Sequence, residues 1–321
     1  MSLFRRSRKV RLRHHSRIEP PGPGLRLLSV SPTFDGRAVC AWTAAETRRL
    51  RGAHDGPTDL PYGASSEVTQ AVITTHGARL DTRIDVSALL PSYPTVQPLP
   101  DGRVAWIGAR SAWTPEGVEP NALVFDDTGG LLQEACVGDG IEHAQTTPSG
   151  RLWLGFSDEG VFGNMGWGSH SGPPPLGRSG IVRCGADLSP QWTFPTSGPP
   201  PVDACYALNV DGEIGWAYYY SGFPIVRIDG DDVTVWPTTV GGAKALVTDG
   251  TRAALVGGYR SERQRIVTGL LETTFVESGR AKIALPDGSP VPDAAQLDGR
   301  GDQLHVFVGQ HWYRVDLSAM C

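Results

Sequence analysis

One repeating pattern constrains this chain more than any other feature: a strand, a tight turn written Asp-Gly or Ser-Gly, and a second strand with large apolar residues. Copies read Q-P-L-P-D-G-R-V-A-W-I-G, T-T-P-S-G-R-L-W-L-G-F and A-L-N-V-D-G-E-I-G-W-A-Y. The turn glycines of the six copies are Gly36, Gly102, Gly150, Gly212, Gly250 and Gly301. Turns of this kind between apolar runs predict β-hairpins. Their recurrence along the chain predicts a repeat architecture.

The spacing of the copies indicates which architecture. Successive turn glycines lie 66, 48, 62, 38 and 51 residues apart, and propeller blades of four strands repeat at about 40 to 50 residues. Each unit also contains a second hairpin, as in P-I-V-R-I-D-G-D-D-V-T-V-W-P. We therefore predict an all-β fold, a six-bladed β-propeller of four-stranded antiparallel blades. Five or seven blades are the alternatives, because the first unit is long and the apolar register shifts between copies.

Charge divides the chain into a basic N-terminal arm, residues 1–24, and a propeller domain, residues 25–321. The arm contains seven Arg or Lys and one acid, whereas the rest has 22 basic and 33 acidic side chains. The last unit supplies only three strands, and K-V-R-L-R, Lys9 to Arg13, alternates apolar and basic residues at period two. We predict that this segment is the outer strand that closes the last blade, with its positive side chains protecting an exposed edge. The alternative is a basic tail that binds nucleic acid or anionic lipid.

The remaining composition indicates a cytoplasmic protein. The five cysteines are an odd number without a CxxC pair, which favours reduced thiols over disulfides or a zinc site. No apolar run approaches the ~18 residues of a membrane span, and the N-terminus lacks the apolar segment of a secretory signal. The acidic body repels nucleic acid. Nucleic-acid binding is therefore expected only through the arm.

Strand direction within a blade determines which loops share a face. The loop that leaves the second strand and the loop that enters the first strand open on the same side, opposite the Asp-Gly turns. The long connections predicted from Thr43 to Ser65, from Arg110 to Pro120 and from Ser157 to Ser179 all follow second strands. Because long loops on a rigid scaffold usually carry function, we expect the site on this side.

Polar and aromatic side chains far apart in sequence should meet there, at the mouth of the central channel. A concave mouth with converging acids, one histidine and aromatic rings is the default position for a ligand site. Lys244 and Asp293 also belong to loops that enter inner strands. The candidate ligand-binding residues are Glu142, His143, Asp158, Glu159, Asn164, Trp167, Asp203, Tyr219, Tyr220 and Arg260.

A structural role is an alternative for several of these residues. Asp158 and Glu159 are also suited to capping a turn, and His143 to bonding a neighbouring backbone carbonyl. Trp167 suits a binding loop or local packing equally well. In the run from Tyr218 to Tyr220, the period-two alternation is typical of a strand packed between two blades, so only its last one or two members should reach the face.

The blades also resemble a known group of proteins. The segments T-T-P-S-G-R-L-W-L-G-F-S-D-E-G and S-G-I-V-R-C are similar to the blade unit of streptogramin-lyase-like bacterial propellers, and gluconolactonase-like propellers are a second comparison. The resemblance implies the propeller fold and, in those families, a divalent ion in the channel. The corresponding candidates here are Glu142, His143, Asp203 and Asp293, although no metal motif of those families is matched. A bacterial propeller family of its own is the alternative that we favour.

No motif establishes a catalytic chemistry. The sequence contains no G-x-S-x-G, phosphate-binding loop or H-E-x-x-H. Our leading hypothesis is therefore a binding scaffold without a cofactor, which recognises a protein, peptide or small ligand on the long-loop side. The alternative is a metal-dependent lyase or lactonase at the channel mouth, with His143 as base and Asp203 or Glu142 as ligands.

Overall fold

A computed structural model describes residues 8–44 and 68–321. It is a six-bladed β-propeller. Five blades are four-stranded antiparallel meanders of strands that follow one another along the chain, and the sixth takes its fourth strand from the N-terminal segment. The predicted fold class and blade number are confirmed. The loop predicted from Thr43 to Ser65 lies, beyond Ala44, outside the described residues. None of the helices in the described ranges is long and apolar enough to cross a membrane.

The first three blades follow one another along the chain after two N-terminal strands, β1 (Lys9–Arg11) and β2 (Arg13–Arg17). Blade 1 contains β3 (Leu25–Pro32), β4 (Ala38–Ala44), β5 (Thr69–His76) and β6 (Leu80–Ala88). Blade 2 contains β7 (Pro94–Pro98), β8 (Val104–Gly108), β11 (Ala122–Phe125) and β12 (Leu131–Ala135), with a small hairpin of β9 (Trp113–Thr114) and β10 (Gly117–Val118) inserted. Blade 3 contains β13 (Ile141–Thr146), β14 (Leu152–Phe156), β15 (Ile181–Cys184) and β16 (Pro190–Thr193), and a short helix α1 (Asp158–Phe162) follows β14.

Blades 4 to 6 complete the ring. Blade 4 contains β17 (Ala204–Asp211), β18 (Ile214–Tyr220), β19 (Ile225–Asp229) and β20 (Asp232–Trp236). Blade 5 contains β21 (Ala245–Thr248), β22 (Arg252–Val256), β23 (Arg265–Leu271) and β24 (Phe275–Ala284), with a 3-10 turn Arg260–Glu262 between β22 and β23. Blade 6 contains β25 (Gln296–Arg300), β26 (Gln303–Val308) and β27 (His311–Asp316), and the chain ends in α2 (Leu317–Met320).

The six predicted turn glycines each join the first and second strands of a blade. All six have positive φ, between 55° at Gly212 and 87° at Gly150, a region that side chains other than glycine rarely occupy. At Gly150 an added Cβ would also lie 2.8 Å from a ring carbon of Pro100 in the neighbouring blade. Turn geometry explains the recurring glycine, and at Gly150 the close approach is a second reason.

The N-terminal segment from Lys9 to Arg17, which we call the clasp, joins the last two blades. β1 pairs in parallel with β24 of blade 5, and β2 pairs antiparallel with β27 as the fourth strand of blade 6. The closing strand is therefore Arg13–Arg17 and not Lys9–Arg13 as the alternation suggested. The amide of Leu12 still donates a hydrogen bond to the carbonyl of Ala284 in blade 5. The chain therefore crosses to blade 6 only at the end of the predicted strand Lys9–Arg13.

Among the described residues, the hydrophobic core forms six clusters, one at each interface between neighbouring blades. The clasp and Ile18, the residue that follows it, contribute to two of them. Val10 and Leu12 are buried between blades 5 and 6, and Ile18 is buried between blades 6 and 1. The basic side chains of the clasp at Lys9, Arg11 and Arg13 are exposed to solvent. This alternation explains why a segment so rich in charge is held against the ring.

Polar side chains connect the inner strands across the channel. Gln145 of blade 3 accepts hydrogen bonds from the amide of Val210 at 2.8 Å and from Arg300 Nη1 at 2.8 Å. Its amide nitrogen donates to the carbonyl oxygens of Leu208 and Gly299, both at 3.1 Å. One side chain thus joins blades 3, 4 and 6, and since Gln145 is only 5% exposed, each of these bonds forms away from bulk water.

The long connections that follow second strands lie on one side of the ring, which we call the loop face. Within the described residues they comprise residues 109–121, 157–180 and 257–264. The connection in blade 3 begins with α1, in which Asp158 and Glu159 occupy the first turn, a position that the helix dipole favours for acids. The loop face is where a ligand site was expected.

Candidate functional site

A cavity of about 400 Å³ opens on the loop face between blades 3 and 4. This volume lies within the ~300–1,000 Å³ range of small-molecule sites. Its walls combine three acids, three aromatic rings and one lysine. The lining residues are Glu142, Ser157, Asp158, Phe162, Asp203, Ala204, Cys205, Tyr206, Tyr220 and Lys244.

Two β-bulges help to turn side chains toward this cavity. In blade 3, Ile141 pairs with Phe156 and His143 with Gly155, which leaves Glu142 as an extra residue without a partner. In blade 4, the register shifts in the same way around Tyr206. A bulge bends its strand and changes the direction of a side chain. Glu142 and Tyr206 therefore both reach the cavity from neighbouring inner strands.

Four aromatic residues form a cluster beside and within the cavity: Tyr206, Tyr220, Phe223 and Tyr259. Ring centres of Tyr206 lie 6.4 Å from Tyr220, 5.5 Å from Phe223 and 6.4 Å from Tyr259. Tyr220 and Tyr259 are 46% and 52% exposed, and Phe162 across the cavity is 64% exposed. Large rings exposed together on one surface are typical of a recognition site and not of a solvated loop.

Lys244 places its ammonium group over one of these rings. The nitrogen lies 4.6 Å from the centre of the Tyr206 ring, within the ~6 Å distance of a cation–π contact. The hydroxyl of Tyr259 donates to that of Tyr206 at 3.0 Å. Burial, together with the neighbouring Tyr259 and Asp158, raises the pKa of Tyr206 to about 12. Tyr206 is therefore a neutral phenol with an electron-rich face.

His143 lies behind the cavity wall. Burial lowers the pKa of its imidazole; Glu142 raises it and the positive charge of Lys244 lowers it again. Its Nε2 atom is buried and has no hydrogen-bond partner. His143 does not line the cavity, so its position is next to the candidate site and not in it.

Glu159 and Asn164 belong to a different contact. The Nε atom of Arg110 lies 3.0 Å from Oδ1 of Asp139, and its Nη1 atom donates a hydrogen bond to the carboxylate of Glu159. The hydrogen bond from Arg110 lowers the pKa of Glu159, and Asn164 contributes to the same effect. This network ties the insertion of blade 3 to the loop of blade 2. Glu159 and Asn164 are thus separated from Asp158, which remains at the cavity.

Three other candidates also lie elsewhere. Trp167 is only 6% exposed and donates from its indole nitrogen to the carbonyl of Ser111 at 2.8 Å, so it anchors the insertion on blade 2. Tyr219 is fully buried between blades 3 and 4, with its hydroxyl bonded to Pro200. Arg260 is exposed in its 3-10 turn and does not line the cavity. The structure therefore brings Glu142, Asp158, Asp203 and Tyr220 together and leaves the other candidates outside.

The four candidate metal ligands do not form one site. Asp293 is paired with Arg263 at 2.7 Å and lines a second, larger cavity of about 900 Å³ between blades 5 and 6. Glu142 and Asp203 line the first cavity, and His143 is behind it. Across residues 8–44 and 68–321 no group of three His, Cys, Asp or Glu is placed to hold a metal ion. These residues, as arranged, do not fit the divalent ion that the family resemblance implies.

The second cavity is larger but chemically plainer. It also includes Lys244. Its other walls are backbone, aliphatic side chains, the Arg263–Asp293 pair and Gln264, whose amide already donates to the carbonyl of Val291. No aromatic ring lines it, and its charges on Arg263 and Asp293 already neutralise each other. The cavity between blades 3 and 4 is therefore the stronger candidate despite its smaller volume.

Tyr206, Tyr259 and Phe162 were missed as candidates from the sequence. Tyr206 lies three residues after Asp203 in D-A-C-Y, where strand alternation alone does not reveal a bulge. Phe162 appeared to belong to a glycine-rich loop, but α1 places it at the cavity. Tyr259 stands just before the 3-10 turn of blade 5. Only the contact between blades brings these rings together.

The chain matches one family model in part and is similar to several solved structures over most of its length. A family model described as the YxzG family matches residues 196–246, a short part of the chain, and a search with the sequence finds no significant match among curated proteins. The structure is similar to virginiamycin B lyase from Staphylococcus aureus, at 10% identity and a TM-score of 0.40, over 94% of this chain and 98% of that one.

Two further solved structures show the same likeness. Regucalcin from Agrobacterium tumefaciens is 12% identical with a TM-score of 0.46, over 96% of this chain and 95% of that one. BamB from Moraxella catarrhalis is 12% identical with a TM-score of 0.42, over 94% and 98%. The expected resemblance to such propellers is confirmed at the level of the fold. At these identities it carries no statement about activity.

Proposed function

We propose that this protein is a binding scaffold that recognises a small ligand, or the side chain of a peptide, in the cavity between blades 3 and 4. The observation that carries the proposal is the exposed aromatic cluster around a cavity that also contains Glu142, Asp158 and Asp203. Exposed rings supply contact area at a small cost in conformational entropy, and a few polar groups orient the ligand. The rigid ring of blades holds these groups in place before a ligand arrives.

The carboxyl groups of the cavity support the same proposal. Acids on a protein surface are commonly neutralised by a neighbouring Arg or Lys, as Asp293 is by Arg263. Within the described part of the chain, no cationic side chain lies within ion-pair distance of Glu142, Asp158 or Asp203. Asp158 Oδ1 accepts the backbone amide of Glu159 at 3.0 Å, but the charges of the three carboxylates are not neutralised by an ion pair among the described residues and are available to a ligand.

Ligand-observed NMR with a mixture of small cationic, neutral and anionic fragments tests the proposal. Fragments should give saturation-transfer signals with the wild-type protein that weaken at least fivefold with Tyr220→Ala. The matched control is Leu132→Ala, which removes an exposed apolar side chain, 55% accessible against 46% for Tyr220, from the outer strand of blade 2. Signals that are unchanged in Tyr220→Ala, or no binding of any fragment, would overturn the proposal.

A further inference from the structure

We propose that the cavity between blades 3 and 4 is selective for a ligand with a positively charged nitrogen, and that Lys244 occupies the ligand's place in the free protein. This inference rests on the proposed function and names the class of ligand. The shared chemistry is an ammonium group, carried either by a free small molecule or by the lysine side chain of a peptide.

The charges around the cavity favour a cation. Three carboxyl groups, those of Glu142, Asp158 and Asp203, face a single ammonium group, that of Lys244. His143 does not add a positive charge, since burial lowers the pKa of its imidazole. The cavity walls are of low polarity on the aromatic side, and a low-dielectric wall strengthens the attraction between a cation and nearby carboxylates.

The position of Lys244 indicates where the cation would bind. Its ammonium group is not within ion-pair distance of any acid in the described residues but lies 4.6 Å from the centre of the Tyr206 ring. The face of that ring thus already accommodates an ammonium group. Tyr220 presents a second exposed ring at the same cavity, with its centre 6.4 Å from that of Tyr206, and so adds aromatic surface beside the cation.

Lys244 is exposed and sits on the connection into β21, so its flexible side chain can leave the ring without disturbing the sheet. A cationic ligand must displace it and also overcome its charge. Lys244 would then act as a tethered competitor that sets the affinity for cations and excludes weakly bound ones. The opposite role, an anchor for an anionic ligand, predicts the reverse effect of removing its charge.

Titration calorimetry with matched probes separates these roles. Choline is compared with 3,3-dimethyl-1-butanol, its uncharged isostere, and a capped glycine–lysine–glycine peptide with the same peptide containing norleucine. We expect each cation to bind at least tenfold more tightly than its neutral partner. Lys244→Met should tighten the binding of the cations by about tenfold, since it removes a like charge and frees the Tyr206 face.

Removal of one acid is the complementary change. Asp203→Asn should weaken the binding of choline by about fivefold to tenfold and leave that of the neutral isostere unchanged. Asp293→Asn is the control, because this acid lies on the same face but is paired with Arg263 in the other cavity. The stronger of the choline and peptide arms identifies the source of the cation.

The outcomes distinguish failure of this inference from failure of the proposed function. Equal binding of cationic and neutral probes, or weaker binding of cations to Lys244→Met, would refute the selectivity for cations. The proposed binding scaffold would still be supported if fragment signals in the NMR experiment weaken with Tyr220→Ala. If no cationic probe binds while anionic fragments do, Lys244 is an anion anchor and the inference is wrong. If no probe or fragment binds at all, both proposals fail.

Discussion

The clasp offers the sharpest test of how this ring is closed, through Leu12. This side chain is 2% exposed and lies with Val10 among the buried residues between blades 5 and 6. Leu12→Ala removes its contacts and leaves a cavity that the rigid neighbouring strands fill only in part. Since leucine-to-alanine changes at buried positions cost about 2–5 kcal/mol, we expect a loss of about 2–4 kcal/mol in the free energy of unfolding.

The neighbouring residue provides a matched control. Arg11 belongs to the same segment but is exposed, and its contact with the carbonyl of Pro286 is long, at 3.5 Å. Arg11→Ala should therefore change stability by less than about 0.5 kcal/mol. Both substitutions shorten a side chain in the clasp, so the difference between them measures burial and not strand propensity.

Urea unfolding followed by tryptophan fluorescence measures both variants, and thermal scans give a second reading. A chain of this size shifts its melting temperature by about 2 °C per kcal/mol, so Leu12→Ala should melt about 4–8 °C below wild type. Deletion of residues 1–18 should have a larger effect, since it removes two strand pairings and Ile18 as well. If Leu12→Ala and Arg11→Ala shift the midpoint equally, the segment does not hold the two blades together as described.

Three further changes follow from the structure. Gln145→Leu should cost about 3 kcal/mol in the urea assay, because it removes the buried acceptor of the Val210 amide and of Arg300 Nη1. Within the described residues, Arg300 keeps only its hydrogen bond to the carbonyl of Thr146. A loss below about 1 kcal/mol would show that the channel network is dispensable. Trp167→Ala should speed proteolytic cleavage within residues 157–180, since it removes the anchor on Ser111, and unchanged cleavage would contradict that role. Burial raises the pKa of Asp298 to about 6, above the ~3.9 of an unfolded chain, so the native state binds the extra proton and wild-type stability falls as pH rises from about 4 to 6. Asp298→Asn removes this effect and should be more stable than wild type above pH 6, with the gain vanishing near pH 4. The gain should be at most about 2 kcal/mol, because the residue is only partly buried. A gain that is independent of pH would refute the assignment.

The cavity shows which site residues can be predicted from local sequence patterns and which cannot. Strand direction placed Glu142, Asp158 and Asp203 on one face, and the structure brings them together with Tyr220. The same reasoning left two roles open for Trp167, a binding loop or local packing, because a glycine-rich segment offers no visible partner for a large ring. Its partner is the carbonyl of Ser111, 56 residues earlier in the chain, and no local pattern reveals a contact of that kind.

The sequence by itself determined the features that depend on residues close together in the chain. These are the six hairpins, whose turns require glycine at positive φ, and the alternation that buries one side of each strand between blades. The tertiary structure alone decided the rest. It moved the closing strand to Arg13–Arg17, because the hydrogen bonds of blade 5 hold the chain as far as Leu12. It also made bulges at Glu142 and Tyr206, because the pairing of a strand depends on its partner. The ligand cavity exists only where these two inner strands meet, so its aromatic half could not be predicted from either strand alone.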